Sequence, residues 1–160
     1  MPAFAPAQDV TEAALKAAYI FNFLVYSEWP ADALASNAPL GICVAADNAL
    51  ADTVQNELKG RTVRAHPLSI SRNSSPASTA RGCNLLYLSG GSLSSTMQSI
   101  QSLRDAPVLT ISDVEGFAEG GGITQFYFEH GRLKFIINMA ALKRSRLQIS
   151  ARLLAIAKRI

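Results

Sequence analysis

The sequence predicts an α/β fold: a compact single domain with a mixed, mostly parallel sheet flanked by helices. Three observations carry that expectation. Short apolar runs alternate with helix-patterned segments as far as Asp113, and strands alternating with helices imply a sheet covered on both faces. Beyond Asp113 the apolar period switches to two, the mark of a C-terminal β-hairpin over Ile123–Asn138. With 160 residues, of which 49% are apolar and 17% charged, the chain can bury one sizeable core.

Residues 1–8 read Met-Pro-Ala-Phe-Ala-Pro-Ala-Gln and precede a domain expected over 9–160. Ala3-Phe4-Ala5 and Ala5-Pro6-Ala7 have the small-x-small form of a signal-peptidase site, with no charged or apolar segment before them. They are either a trimmed signal-peptide remnant or a disordered tail. Asp9-Val10-Thr11-Glu12 has capping-box spacing, with Asp9 as the cap. The helix it opens runs to about Tyr26, where Ser27-Glu28-Trp29-Pro30 stops it, since Pro30 disfavours helical geometry at Trp29. Its middle is apolar on most sides, which predicts burial, and Trp29 reads as a core plug.

Residues 31–39 read as loop. Leu40–Ala45 is the first buried strand, and Asp47 caps a helix over Ala49–Lys59. Thr62–Leu68 is a second strand, whose Pro67 places its end at an edge. Ser71–Pro76 is loop, with a short helix after it. Asn84–Leu88 is a third strand, Ser92–Arg104 a helix, and Pro107–Ser112 a fourth strand. Gly120-Gly121-Gly122 is a flexible lead-in to the hairpin, because a strand rather than a helix N-terminus follows it.

Setting His130-Gly131 as a two-residue turn pairs Phe128 with Leu133, Phe126 with Phe135 and Thr124 with Ile137. The other face pairs Glu129 with Arg132 and Tyr127 with Lys134, so apolar meets apolar and opposite charges meet. Asn138 then caps a helix over Met139–Arg144. That helix either continues, with Leu142, Ile149, Leu153, Ile156 and Ile160 at helical spacing, or breaks near Ser145. In the second case Ser150 caps Ala151–Arg159.

The net charge of +3 hides an asymmetry: residues 132–160 carry eight Lys or Arg and no acid, leaving 1–131 acidic. Such a basic end is either a solvated face or a surface for an acidic partner. No zinc-finger spacing or aromatic-interleaved basic strand points to nucleic acid. The longest apolar stretch, Ala17–Tyr26, is too short to span a bilayer.

A search for chemistry returns little. His66 precedes Pro67 and His130 sits in the hairpin turn; neither has neighbours at metal-ligand spacing, and both read as surface residues. No serine lies in Gly-x-Ser-x-Gly. Ser89-Gly90-Gly91-Ser92 leaves a strand and opens a helix, which suits a cap or a weak anion site. Asp113 follows the fourth strand, with Glu115 nearby, and reads first as a loop cap. Together Ser89, Gly90, Gly91 and Asp113 mark the carboxyl ends of the strands, where open α/β sheets bind small ligands. No reaction can be written from these residues, so the chain does not read as an enzyme, and it implies no cofactor. Cys43 and Cys83, the only cysteines, both belong to strands. They are either one structural disulfide or two buried thiols.

Taken in order, several segments resemble one family. Lys16-Ala17-Ala18-Tyr19-Ile20-Phe21-Asn22-Phe23 and Glu28-Trp29-Pro30 are followed by Gly41-Ile42-Cys43-Val44 and Cys83-Asn84-Leu85-Leu86-Tyr87-Leu88. Val108-Leu109-Thr110-Ile111-Ser112-Asp113, Gly121-Gly122-Ile123-Thr124-Gln125-Phe126, Lys134-Phe135-Ile136-Ile137-Asn138 and Leu147-Gln148-Ile149-Ser150-Ala151-Arg152-Leu153-Leu154 complete the series. Their succession resembles the YfiR-like family of bacterial periplasmic proteins. The resemblance implies export to the periplasm and a disulfide between Cys43 and Cys83. It implies a non-enzymatic negative regulator that holds the periplasmic sensor domain of an inner-membrane diguanylate cyclase, lowering cyclic-di-GMP and biofilm formation. It also points to a homodimer, and to a helix break near Ser145.

This chain departs from the best-known member in lacking a second cysteine pair, so a redox switch through a second bridge is not available to it. The expected partner-facing side is the basic C-terminal surface, with Arg144, Arg146 and Arg152. The alternative function is a periplasmic small-ligand sensor using Ser89, Gly90, Gly91 and Asp113.

Overall fold

The computed structural model describes residues 11–72 and 82–160. The first helix, α1, spans Glu12–Val25, and its cap is Thr11, whose side chain accepts from the Ala14 amide at 3.1 Å. This corrects the expected cap by two residues; Asp9 itself lies outside the described residues. Ala17, Ile20, Phe23 and Leu24 recur at helical spacing and are fully buried. The expected stop at Ser27-Glu28 is a two-residue strand, β1 (Ser27–Glu28), paired antiparallel with β9 (Gln148–Ile149). Trp29 plugs the core as expected, and its indole N–H donates to the Asn84 carbonyl at 2.9 Å.

Strand β2 (Leu40–Ala45) and helix α2 (Asn48–Leu58) follow, the latter capped by Asp47 accepting from the Leu50 amide at 2.8 Å. Thr62–Leu68 is not one strand. It is a hairpin of β3 (Thr62–Val63) and β4 (His66–Arg72), turned at Arg64 and Ala65 with φ of 47° and 70°. Ser71 and Arg72 therefore belong to β4. The rest of the expected loop, and the short helix after it, lie largely outside the described residues. Strand β5 (Leu85–Leu88), helix α3 (Leu93–Ile100) with a 3₁₀ turn at Gln101–Leu103, and strand β6 (Leu109–Ser112) complete the alternating part.

The hairpin β7 (Thr124–Glu129) and β8 (Arg132–Ile137) has the expected register at every pair, with φ of 53° at His130 and 76° at Gly131. One contact differs. Glu129 pairs diagonally with Lys134 at 2.6 Å rather than with Arg132 opposite, which holds the Glu129 carboxyl below its usual range and the Lys134 ammonium above its own.

Helix α4 (Met139–Ser145) is capped by Asn138 and ends where Arg146 turns left-handed at φ 63°. The break near Ser145 is present. The last helix is shorter than expected: α5 covers Ala151–Ala155 behind its Ser150 cap, and Lys158–Arg159 form β10, parallel to β8. The chain thus ends in a strand, because its last residues meet the open edge of β8: the Ile160 amide donates to the Ile137 carbonyl and the Met139 amide to the Ile160 carbonyl.

The eight-stranded sheet runs β10-β8-β7-β6-β5-β2-β4-β3, with only the β3/β4 and β7/β8 hairpin pairs antiparallel. Helices α1 and α2 share one face with Leu40, Ile42, Tyr87, Phe126 and Phe135. Rings of Phe23 and Phe135 meet there edge-on at 5.0 Å. The other face carries a smaller cluster of Cys43, Cys83, Leu86, Ile100 and Phe117 under α3. A disulfide joins Cys43 to Cys83, whose Cα atoms are 5.8 Å apart, and no cysteine is left free.

Gly120-Gly121-Gly122 is built into hydrogen-bonded turns rather than a loose lead-in. Their amides donate to the Gly116, Ala118 and Phe117 carbonyls, and the Phe117 ring lies so close to Gly122 that a Cβ would overlap it.

Candidate functional site

The carboxyl ends of the parallel strands gather four polar side chains that the sequence scatters. Ser89 leaves β5, Asp113 leaves β6, Tyr87 stands inside β5, and Lys16 reaches over from the second turn of α1. Asp113 Oδ2 accepts from Lys16 Nζ at 2.7 Å, from Ser89 Oγ at 2.8 Å and from the Tyr87 hydroxyl at 3.0 Å. One carboxylate oxygen thus takes three donors. Tyr87 is fully buried. Burial pushes its phenol far above the ordinary tyrosine range, and the adjacent Asp113 charge raises it further.

Lys16 and Asp113 of the cluster line an open groove of about 750 Å³, which Glu115, Glu119, Glu129 and Lys158 also line. Sequence reasoning placed Ser89 and Asp113 at this end, and the structure brings them into direct contact. It missed Lys16 and Tyr87; Lys16 is 97 residues from its partner, and an interior lysine beside an apolar helical run was the available signal. Gly90 and Gly91 are exposed, with φ of 83° and 79°, and form the turn into α3, where Ser92 caps the Ser95 amide at 3.1 Å. They do not join the cluster. Asp113 is not a loop cap: Ser112 Oγ takes the Val114 amide instead.

What this geometry does is mechanical. The carboxylate is neutralised by Lys16 and spends its Oδ2 on internal donors, so the cluster ties α1 to the ends of β5 and β6.

The three arginines of the C-terminal region occupy different settings. Arg152 is exposed. Arg146 is exposed and reaches Asp32 at 3.3 Å. Arg144 is half-buried and lines a separate cavity, which Arg104 also lines; the Arg144 Nε is shut away from solvent with no hydrogen-bond partner among the described residues. Arg144 and Arg146 both lie at the opposite end of the sheet from Asp113, since α4 starts where β8 ends, beside the start of β7. The basic end is partly neutralised by the acidic body, through Asp32 with Arg146 and Glu129 with Lys134.

These features define a disulfide-bonded α/β domain with both sheet faces covered and its strand-end carboxylate locked in an internal ion pair. The chain belongs to the YfiR/HmsC-like family (DUF4154), which it matches over residues 13–158. It is also similar in fold to a conserved domain protein from Vibrio cholerae O1 biovar El Tor, seen in a crystal structure, with a TM-score of 0.55 and 11% identity. That alignment covers 94% of this chain and 60% of the other, so this chain spans less than two thirds of the length of that protein. No curated protein matches the chain. Among the described residues no helix is long and apolar enough to cross a membrane.

Proposed function

We propose that this protein is a periplasmic, non-enzymatic negative regulator. It binds the sensor domain of an inner-membrane diguanylate cyclase and so lowers cyclic-di-GMP signalling and biofilm formation. The observation that carries this reading is the family match over residues 13–158. The Cys43–Cys83 disulfide agrees with an oxidising compartment, where such bonds persist.

The mechanism needs only differential affinity. A protein that binds the inactive arrangement of the cyclase more tightly than the active one shifts the population towards inactivity, and a release signal acts by narrowing that difference. Driving an equilibrium from mostly active to mostly inactive takes roughly a 10⁴-fold difference in affinity. The protein works as a homodimer, and its partner face includes Arg152 and Arg146, the latter exchanging Asp32 for a partner carboxylate. Arg144, being half-buried, contributes from behind.

The test is cellular cyclic-di-GMP in a strain lacking the gene, against wild type and a complemented strain. A rise that complementation reverses supports the regulator. An unchanged level across growth conditions sinks the cyclase as partner. Replacing Arg144, Arg146 and Arg152 together by Ala weakens the complex if the basic face is the contact, and unchanged affinity removes that placement.

A further inference from the structure

A cavity of about 460 Å³ opens between the second half of α3 and the end of α4, at the amino ends of β6 and β7. It lies at the opposite end of the sheet from the Asp113 cluster. Its apolar wall is Met97, Ile100 and the backbone of Gly120 and Gly121. A Cβ at Gly120 would come within 3.0 Å of Met97 Sδ, so the bare glycine keeps that wall open. Two cations line the cavity, Arg104 and Arg144, and no acid among the described residues does.

Neither arginine forms an ion pair among the described residues, whereas Arg72 and Arg146 each reach an aspartate. Arg144 Nε is closed to solvent with no partner among the described residues, so an anion would meet the terminal nitrogens of this guanidinium. Two guanidiniums that line one cavity with no carboxylate between them favour an anion there, through charge-assisted hydrogen bonds. The C-terminus of α3 opposes an anion with roughly half a negative charge, which two guanidiniums outweigh. The volume is that of a small-molecule site, too large for a bare inorganic ion and walled on one side by apolar atoms.

We propose that this cavity binds a small organic carboxylate with an apolar body, its carboxylate on Arg144 and Arg104 and its body against Met97 and Ile100. The inference stands apart from the cyclase reading, because it concerns the isolated protein.

The disulfide-bonded protein is titrated with phenylacetate, 2-phenylethanol and inorganic phosphate while the amide resonances of Met97, Gly120 and Gly121 are followed. Saturable shifts with phenylacetate, at a Kd below about 10 mM, are expected. The isosteric alcohol and phosphate should each bind at least about tenfold more weakly, lacking one half of the recognition. Arg144→Gln should weaken phenylacetate by about tenfold or more, the loss of a charged hydrogen bond. Arg104→Gln, at an exposed position, should weaken it too and decides the matter if the first variant does not fold. No saturable shift, equal affinity for the alcohol or for phosphate, or unchanged affinity in the folded variants overturns the proposal.

Discussion

Lys16 and Asp113, 97 residues apart in the chain, meet at 2.7 Å with side chains only 13% and 19% exposed. The contact fixes the first helix to the end of β6, and Asp113 Oδ2 also holds the hydroxyls of Tyr87 and Ser89. The two partners are therefore not equivalent. Asp113→Ala strands a shielded ammonium and two hydroxyls and should cost about 3 kcal/mol. Lys16→Met leaves the carboxylate with two donors and keeps the aliphatic packing, so about 1 kcal/mol is expected. Urea unfolding of both variants checks the order, and a Lys16→Met loss equal to that of Asp113→Ala would show the hydroxyls to be bystanders.

Tyr87 turns the same cluster into a source of alkaline instability. Its phenol is raised far above the ordinary value by burial first and by Asp113 second. Below about pH 10 the folded and unfolded chains both keep this proton, so the group adds no pH slope. Above that, the unfolded chain releases it and the native chain does not, and stability falls by about 1.4 kcal/mol per pH unit from this group. Tyr87→Phe removes the slope while giving up one hydrogen bond, about 1 kcal/mol at neutral pH. Denaturation of the two proteins from about pH 8 to about pH 11 should show the gap between them closing and then reversing as the pH rises. A constant gap would mean that the phenol ionises in the folded protein.

The fold was legible where the signals are local. Leu40–Ala45 is a continuous apolar run bounded by a loop and an aspartate cap, and the structure has that strand at those residues. The β7/β8 register follows from period-two alternation around a His-Gly turn, and every pair is as expected. The failures are long-range. Arg64 and Ala65 are not turn residues by type, yet both are left-handed. The reason lies elsewhere in the chain: the Arg64 guanidinium donates to the Val25 and Ser27 carbonyls at 2.6 Å each, serving the end of α1, which has no basic residue in its last turn. Two-residue strands such as β1, β9 and β10 exist only because a partner edge is present, so no pattern within them could announce them. Likewise Ser89 and Asp113 were visible as strand-end residues, whereas Lys16 became part of the cluster only through the packing of α1. Arg144 and Arg146 read as one basic patch, but the left-handed turn at Arg146 sends one to Asp32 and leaves the other lining a cavity.

The disulfide should matter chiefly through the unfolded chain. Cys43 and Cys83 are 40 residues apart, and closing a loop of that length stabilises by up to about 4 kcal/mol in the chain-entropy model. Both sit in the smaller core cluster under α3 and are nearly fully buried, so replacement by Ala also removes apolar packing there. The Cys43→Ala, Cys83→Ala double variant should unfold at markedly lower urea than the oxidised protein. Wild type reduced before unfolding should lie between the two, because it keeps both sulfur atoms in the core. A reduced wild type as stable as the oxidised one would show that the bond constrains nothing the native contacts do not already fix.

Gly41 gives the sharpest test of how β2 and β5 begin. Its neighbour across the sheet is Asn84, whose amide donates to the Gly41 carbonyl and whose side-chain Oδ1 accepts from the Gly41 amide, each at 2.8 Å. These bonds draw the segment ahead of β5 so close that a Cβ on Gly41 would overlap the Gly82 carbonyl. The obstacle is backbone, not a side chain that could swing away, and it is tethered on both sides. Cys83 is bound to Cys43, two residues past Gly41, and the Asn84 carbonyl is held by Trp29 Nε1 at 2.9 Å. Gly41→Ala must therefore displace the start of β5 or break the Asn84 bonds, and about 3 kcal/mol of destabilisation is expected, on the scale of overpacking plus a lost buried hydrogen bond. Gly60→Ala is the control for glycine in general, since it sits at φ 77° with nothing within 4 Å of an added Cβ. It should cost about 1 kcal/mol, from backbone conformation alone. If the two variants lose the same stability, the close approach at Gly41 is not what holds the strands in place; if Gly41→Ala also weakens protection of the Leu85 and Leu86 amides from exchange, it is.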